Sequence, residues 1–373
     1  MATWREHVLN VTGPGILPGI RYRDWLSLLR ANQWAVSPRY GVRALSITLY
    51  SLFNSAPLRC EESEYLPKIL PLEIPPPLFI LGHWRTGTTH LHHLLSTDAQ
   101  FASPNVYQTV FPHTFLTTEA RRARILGTIL PTKRPMDNVK QSFDAPNEDE
   151  FVLCTATTLS PYMSWVFPRR ADHYDRYLTL TDVPQEEIVR WKEALVLFLK
   201  KMTWKYERPL LIKSPTHTCR IKLLLDLFPK ARFVHIHRHP FSIFPSTRHT
   251  NDALRHFTTL QSPTALDWDA RIIRRMQQMY ERFFAERDLI PSSQFHEIRY
   301  EDLDRDPLGE IRTLYERLNL PGHAEMEANL KLYLQSIQGY TKNRFPELSP
   351  SLRATLCQAW QPYFDAFGYA GAL

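Results

Sequence analysis

One strand-like run that leads through a short turn into a helical pattern constrains the fold of this chain more than any other feature. The run is LFILG at 78–82, and the helical pattern THLHHLLS follows at 89–96. A strand, a turn and a helix in this order are how a parallel sheet begins. We therefore expect the main domain to open near residue 78 with the first strand of such a sheet.

Two more apolar runs repeat this arrangement further along the chain. PLLIK at 209–213 and ARFVHIH at 231–237 are separated by a helical pattern, CRIKLLLDLF, at 219–228, which is the spacing of a βαβ unit. FHEIRY at 295–300 is a candidate fourth strand. Further helices are predicted at 184–204, 265–287, 307–318 and 349–366. The alternation predicts an α/β fold with a mostly parallel sheet.

Residues 1–77 have a different composition from the rest of the chain. Residues 20–54 read as two helices with a break near Ser37-Pro38, and residues 56–77 are rich in proline. We therefore divide the chain into an N-terminal helical and proline-rich segment, 1–77, and a main domain, 78–373.

The overall composition is that of a globular protein with a basic balance. Of 373 residues, 43% are hydrophobic and 22% charged, which excludes disordered and fibrous classes, and the net charge of +7 suits an anionic partner. The 4 cysteines include no CxxC pair, which argues against a zinc ribbon and fits a reducing compartment. Neither a membrane span nor a signal-peptide pattern is visible in the sequence. These features predict a soluble or peripheral protein in the cytoplasm.

The turn after the first predicted strand resembles a phosphate-binding loop that lacks its lysine. Compared with the template GxxxxGK[ST], the segment 82–89 keeps both glycines and the final threonine, but Thr88 stands in the lysine position. Backbone N–H groups and a helix N-terminus can still cradle an anion there. The alternative is a tight turn whose residues only cap the helix. The candidate anion-binding residues are Arg85, Thr86, Gly87, Thr88 and Thr89.

A second candidate anion site follows the third predicted strand. Arg238 stands at the carboxyl end of that strand, where ligands of open α/β sheets collect, and Ser246 lies eight residues later in a helical stretch. A guanidinium and a hydroxyl at this edge can bind a phosphate group. The alternative is that Arg238 pairs with a carboxylate on a solvated face.

These two motifs, G-x-x-R-T-G-T-T at 82–89 and R-x-P-x5-S at 238–246, resemble those of the sulfotransferases that use 3′-phosphoadenosine 5′-phosphosulfate. The resemblance implies a P-loop-like three-layer fold, in which a central parallel sheet is flanked by helices. It also implies that the first loop binds the 5′-phosphosulfate, that Arg238 and Ser246 bind the 3′-phosphate, and that no metal is needed. The product would be adenosine 3′,5′-bisphosphate. Supporting stretches are PNEDEF (146–151), LIKSPTH (211–217), LFPKARFVHIHRHP (227–240) and RYEDLDRDP (299–307).

Sulfuryl transfer requires positive charge near the leaving oxygen and a base for the acceptor hydroxyl. Arg85 and Lys213, which ends the second predicted strand, are the candidate cations. The resemblance suggests His217 as the general base, four residues after Lys213, although a locally hydrogen-bonded histidine is the alternative. Glu148 and Glu150 are rival bases, and their ordinary explanation is a favourable interaction with a helix dipole.

Three further residues enter only through the resemblance. Tyr300, after the fourth predicted strand, would lie against the cofactor. Lys342 and Arg344 would close over the 3′-phosphate, with a solvated basic loop as the alternative.

The sequence therefore predicts an enzyme that transfers a sulfuryl group to an acceptor hydroxyl on a small molecule, lipid or glycan. A P-loop nucleotide kinase or NTPase is the alternative enzyme class, and the missing lysine and the lack of an aspartate closing either downstream strand argue against it. A non-enzymatic basic membrane-binding module is the other alternative. A nucleic-acid partner is not expected, because the charge is too dispersed.

Residues 20–54 suggest a membrane contact. Two apolar helical stripes with Trp25, Trp34, Tyr50 and Phe53 are accompanied by five arginines, which matches an interfacial helix pair. Such helices would place the protein peripherally on the inner membrane face, or against a hydrophobic acceptor. The competing interpretation is that the stripes pack as ordinary core and the arginines are solvated. An exposed contiguous apolar patch would distinguish the two.

Overall fold

A computed structural model describes residues 12–127, 142–262, 266–339, 341, 343 and 345–369. The chain divides into two compact units that interleave along the sequence. The first unit takes residues 1–74, 104–207 and 251–266, and the second takes residues 75–103, 208–250 and 267–373. The predicted boundary at residues 77 and 78 lies close to the first break, but the first unit continues beyond it.

The regular elements alternate much as the sequence predicts. The strands are β1 Leu78–Leu81, β2 Leu211–Lys213, β3 Arg232–His237 and β4 Phe295–Arg299. The helices of the described residues are α1 Tyr22–Ala31, α2 Gly41–Phe53, α3 Ser55–Glu64, α4 Leu66–Ile69, α5 Thr88–Leu95, α6 Val106–Val110, α7 Phe115–Gly127, α8 Glu150–Thr157, α9 Met163–Val166, α10 Ala171–Asp175, α11 Gln185–Tyr206, α12 Ile221–Leu227, α13 Pro240–Thr258, α14 Trp268–Glu286, α15 Tyr300–Arg305, α16 Pro307–Arg317, α17 His323–Ser336, α18 Pro350–Ala359 and α19 Gln361–Ala366. Short 3-10 turns lie at Pro38–Tyr40, Pro168–Arg170, Pro215–Cys219, Arg287–Leu289 and Ser292–Gln294.

The second unit is built on a four-stranded sheet in the order β2-β1-β3-β4, and every neighbouring pair is parallel. The register places Ile80 opposite both Lys213 and Val234, and His237 opposite Arg299. All four predicted strands are confirmed, and so is the parallel sheet. Because the strands run in the same direction, their carboxyl ends and the loops that follow them share one edge.

Helices cover both faces of this sheet. On one face, Leu78 and Ile80 join the apolar side chains of α5 in a buried cluster that also includes residues of α16 and α17. On the other face, the ring of Phe79 stacks on Phe233 at 5.5 Å, and His235 stacks on Phe283 of α14 at 4.2 Å. Strands buried on both sides explain why β1 reads as an unbroken apolar run. The predicted three-layer arrangement is confirmed.

One predicted helix is divided in the structure. The pattern at 349–366 predicts a single helix, but α18 ends at Ala359 and α19 begins at Gln361. Pro362 has no backbone N–H to donate to the Gln358 carbonyl one turn earlier, and its ring would crowd that carbonyl in a continuous helix, whereas a proline is tolerated in the first turn of a new one. The break at Trp360 follows from that proline.

In the first unit, α1 packs through an apolar face that includes a residue predicted to lie at an interface. Trp25 is fully buried with Leu28 and Leu29, and its indole N–H donates to the Thr48 hydroxyl on α2 at 2.9 Å. For Trp25, the competing interpretation of core packing therefore holds, and the residue does not belong to an interfacial stripe. No helix of the described residues is long and apolar enough to cross a membrane.

A buried ion pair joins α11 to α3 within the first unit. Lys201 Nζ lies 2.5 Å from Glu61 Oε1 and donates to the Pro112 carbonyl at 3.0 Å. The other carboxylate oxygen of Glu61 accepts from the Leu116 and Thr117 amides at the start of α7. Both side chains are buried, at 8% and 2% exposed, so each charge depends on the other for compensation.

We expect Lys201→Met to destabilise the protein strongly, because it leaves the Glu61 carboxylate buried without its cation. The loss in free energy of unfolding should be about 3–5 kcal/mol. Urea unfolding followed by tryptophan fluorescence measures it. The double variant Glu61→Gln/Lys201→Met removes both charges and should recover part of the loss. If the single and double variants were equally stable, the ion pair would not be the cause.

Candidate active site

The turn from β1 to α5 has a backbone that only certain residues can adopt without strain. Gly82 and Gly87 have φ of +144° and +100°. A Cβ on Gly82 would lie 2.5 Å from the Ile236 carbonyl oxygen, and one on Gly87 would lie 2.3 Å from the Tyr300 ring. Both glycines of the motif are therefore required by close approach as well as by conformation.

The same turn holds Arg85 in a left-handed conformation, with φ of +71°. Such a conformation costs about 1–3 kcal/mol for a residue with a side chain, and it persists where surrounding contacts enforce it. Here the Thr86 amide and hydroxyl both donate to the His83 carbonyl, at 3.2 and 2.8 Å, and the Gly82 amide donates to the Thr218 hydroxyl at 2.7 Å. The turn then delivers the chain into α5 at Thr88. The first N–H groups of a helix lack intrahelical acceptors, so this geometry suits an anion.

The structure brings the two predicted anion sites together. Arg85 Nε donates to the Ser246 hydroxyl on α13 at 2.8 Å. Arg238, which follows β3, donates from Nη1 to the Arg85 carbonyl at 3.4 Å. Two guanidinium groups and a buried hydroxyl thus gather at the carboxyl edge of the sheet, all within the second unit.

Tyr300 lies between the loop and Arg238. It is the first residue of α15, directly after β4, and its ring packs against the backbone of Gly87. The Arg238 guanidinium lies over the same ring, 4.1 Å from its centroid. A cation held against an aromatic face keeps its orientation while its N–H groups can still bind an anion. The ring therefore positions both halves of the site.

Lys213 also reaches this edge. It is the last residue of β2 and is buried, and its Nζ lies 3.5 Å from the Thr89 hydroxyl on the first turn of α5. The ammonium group and the Arg85 guanidinium are therefore both held next to the loop. Two neighbouring histidines are poor sources of further positive charge, because burial lowers the pKa of His83 to about 4 and lowers the pKa of His92 well below its usual value.

The three candidate bases lie in different surroundings. His217, in the 3-10 turn after β2, is fully buried with its ring edge-on to Phe79 at 5.6 Å. This burial is typical of a core histidine and weighs against its assignment as the base. In the first unit, Glu150 is also fully buried and accepts from the Ser160 hydroxyl at 2.6 Å. Glu148 is only partly buried and accepts from the Tyr162 hydroxyl at 2.5 Å.

Two predicted residues, Lys342 and Arg344, lie outside the described part of the chain. Within the described ranges, no group of three or more histidine, cysteine, aspartate or glutamate side chains is placed to hold a metal ion.

Sequence reasoning missed two residues that support the site. The Tyr363 hydroxyl on α19 accepts from the Arg238 amide at 3.0 Å and donates to the Arg238 carbonyl at 2.8 Å. Arg275 on α14 is buried, with its guanidinium 5.7 Å from the ring centroid of Trp84 in the loop. Tyr363 is 125 positions from its partner, so no local pattern links them. The only sequence signal for Arg275 is that a cationic residue occupies a position where the periodicity of the helix predicts an apolar one.

Comparisons with known proteins agree with this geometry. A model of the sulfotransferase family matches residues 76–325. The omega-hydroxy-beta-dihydromenaquinone-9 sulfotransferases Stf3 of Mycobacterium bovis and Mycobacterium tuberculosis are each 36% identical to this chain over 370 residues, covering 99% of it and 94% of their own length.

Solved structures share the fold. Sulfotransferase STF9 from Mycobacterium avium superposes with a TM-score of 0.70 at 21% identity, covering 97% of this chain and 95% of its own. Sulfotransferase STF1 from Mycobacterium tuberculosis gives a TM-score of 0.64 at 20% identity, covering 91% of each chain. Because the family model matches the sheet that carries the two candidate anion-binding motifs, and the curated relatives match nearly the whole chain, this protein belongs to the sulfotransferase family, whose members are enzymes that transfer a sulfuryl group.

Proposed function

We propose that this sulfotransferase transfers the sulfuryl group of 3′-phosphoadenosine 5′-phosphosulfate to a hydroxyl of a lipid-like acceptor, without a metal ion. The observation that carries the donor assignment is the hydrogen bond between Arg85 and Ser246, at 2.8 Å. It joins the phosphate loop to the second anion site. A donor with an anionic group at each end of one nucleoside fits two such sites on one sheet edge.

The donor-binding residues divide between those two ends. We assign the phosphosulfate end to the loop and the 3′-phosphate end to Arg238 and Ser246, with Tyr300 against the nucleoside. Lys342 and Arg344 are proposed to close over the 3′-phosphate. The loop residues are Arg85, Thr86, Gly87, Thr88 and Thr89.

The reaction is an in-line displacement at sulfur. The bond between sulfur and the bridging oxygen of the donor breaks as the acceptor oxygen bonds to sulfur, and the acceptor proton passes to a base. Negative charge develops on the leaving phosphate, which departs as adenosine 3′,5′-bisphosphate. Arg85 and Lys213 are held beside the loop and can stabilise this charge without moving.

Among the candidate bases, Glu148 has the strongest support. His217 and Glu150 are fully buried, whereas Glu148 is partly exposed, so an acceptor can reach it without opening the core. Its carboxylate is oriented by the Tyr162 hydroxyl. We propose Glu148 as the base. Glu148→Gln should lower kcat strongly while leaving the affinity for adenosine 3′,5′-bisphosphate unchanged, and Glu150→Gln and His217→Asn test the two rivals.

The proposed acceptor class follows from the curated relatives, whose names describe sulfation of an omega-hydroxylated dihydromenaquinone, a lipid alcohol. We propose that this enzyme also acts on a long apolar alcohol, from the cytoplasm and at the inner membrane face, with contact through residues 20–54. Incubating the enzyme and isotopically labelled donor with lipid, glycan and metabolite extracts tests this. Sulfated product found only among glycans would exclude a lipid acceptor.

The first of three predictions about the donor site concerns the two cations beside the loop. Arg85→Ala and Lys213→Ala should each lower the turnover number by a factor of about 100–1000, because one donor to the developing charge is lost. The assay measures transfer of label from the donor to a long-chain primary alcohol. Arg312→Ala, which removes an exposed guanidinium from α16, is the matched control and should retain full turnover. Wild-type turnover in either test variant would refute its role.

The second prediction concerns Arg238. Because its proposed contact is remote from the reacting sulfur, Arg238→Ala should raise the donor KM far more than it lowers kcat. Loss of a charge-assisted hydrogen bond costs about 1.5–3 kcal/mol, which is roughly a 10- to 150-fold weaker Kd. Calorimetry with adenosine 3′,5′-bisphosphate measures that affinity. Unchanged affinity would place the 3′-phosphate elsewhere.

The third prediction concerns Tyr363 as a positioning residue for Arg238. Tyr363→Phe keeps the ring but removes both hydrogen bonds to the Arg238 backbone. The backbone from which the guanidinium extends is then held less firmly. Affinity for adenosine 3′,5′-bisphosphate should fall about fivefold, corresponding to roughly 1 kcal/mol, with kcat little changed. Tyr65→Phe in the first unit is the control. A lower melting temperature with unchanged affinity would mean that Tyr363 serves packing alone.

A further inference from the structure

Helix α2 presents an apolar face to solvent. Val42, Leu45, Leu49, Leu52 and Phe53, here called the docking face, are 45% to 70% exposed. Their spacing places them along one side of a helix. Trp34, which precedes the helix, is 56% exposed as well. Large apolar side chains exposed singly are ordinary, but a continuous row of five on one helix is not.

The opposite side of α2 is polar, which shows why the helix keeps this orientation. Its buried residues are Arg43, Ile47 and Ser51. The Arg43 guanidinium donates to the Thr259 carbonyl at 2.5 Å, to Gly13 at 3.2 Å and to His256 at 3.3 Å. An ordinary amphipathic helix would bury its leucines and expose its arginine. Here directional hydrogen bonds hold the helix with its leucines outward, and the burial of Arg43 departs from the competing interpretation, in which the arginines are solvated.

The segment that carries the docking face has a one-sided charge. Residues 20–54 contain five arginines and one acidic residue, Asp24. Arg43 is buried, and the other four arginines are exposed: Arg21, Arg23, Arg30 and Arg39. Arg39 lies in the 3-10 turn that runs directly into α2 and precedes Val42 by three residues, so it borders the face. Apolar residues bordered by cations complement a surface of negative head groups over hydrocarbon.

We propose that the docking face inserts into the interface of an anionic bilayer, with α2 lying along the membrane surface. A 13-residue helix is about 20 Å long, too short to cross the roughly 30 Å hydrocarbon core, so it lies in the interface. The proposal rests on the proposed function in that a lipid-like acceptor is reached at this surface. A second copy of the chain is the less suited occupant, because a twofold contact would bring like-charged arginine borders together.

Vesicle flotation of the full chain at low salt tests the proposal. Wild-type protein should float with vesicles of phosphatidylglycerol and phosphatidylcholine and much less with phosphatidylcholine alone. Leu45→Glu/Leu49→Glu changes two exposed side chains, so folding should survive, and binding should fall at least tenfold. Arg39→Glu should weaken binding only to the anionic vesicles. Leu332→Glu is the matched control, since Leu332 on α17 is 65% exposed and lies outside the face.

Two results would overturn the inference. Wild-type protein that stays in the soluble fraction with anionic vesicles excludes the membrane as partner. A wild-type dimer that Leu45→Glu/Leu49→Glu converts to monomer shows that the face binds a second copy instead. Affinity for adenosine 3′,5′-bisphosphate should be unchanged in the double variant. If the wild-type protein does not bind adenosine 3′,5′-bisphosphate, the proposed function is refuted. If it binds this nucleotide but does not float with vesicles, only the membrane contact of the docking face is refuted.

Discussion

The close contact between Tyr300 and Gly87 is the constraint on which the candidate active site depends. The ring occupies the space where any side chain at position 87 would lie, and the Arg238 guanidinium lies over the same ring at 4.1 Å. The loop conformation, the end of β4 and the cation after β3 are therefore determined together. Position 87 requires a glycine both for its φ of +100° and for this packing. The parallel sheet supplies the common edge, and the aromatic ring lies between the two candidate anion sites.

The sequence predicts most of the second unit, which carries the sheet, because the patterns that indicate its elements are local. An apolar run buried on both faces, a glycine turn and a helix that follows are contiguous, so β1, the loop and α5 can be read from the residues around 78–96. Arg85, Lys213, Arg238 and Ser246 could be named because each stands at a strand end or a fixed distance beyond one, whereas Tyr300 could be named only through the family resemblance. The contact between Arg85 and Ser246, 161 positions apart, could not be predicted from spacing, because it depends on how α13 packs.

Side-chain direction is what the sequence leaves open. His217 follows Lys213 by four residues, but the 3-10 turn at Pro215–Cys219 directs its ring onto Phe79 in the core. The same limit applies in residues 20–54. Periodicity identifies an apolar stripe on α2 but cannot tell which side faces solvent. The deciding contacts are made by Arg43 with carbonyls at Thr259 and His256, more than 200 positions away. For the same reason the sequence leaves open whether Trp25 lies at an interface or in the core, where the structure has it.

Arginine has opposite uses in the two units, and both follow from its rigid, always charged guanidinium. In the second unit, which carries the sheet, Arg85 and Arg238 keep part of their surface accessible and are oriented by a hydroxyl and an aromatic ring, as expected of the anion-binding residues proposed above. In the first unit, Arg43 donates hydrogen bonds to backbone carbonyls and so has a structural role. Desolvation by burial lowers its pKa to about 10, which still leaves it charged at neutral pH. Directional hydrogen bonds from Arg43, rather than buried apolar area, therefore hold α2 in its orientation. The leucines of the helix remain exposed and available for contact with another apolar phase.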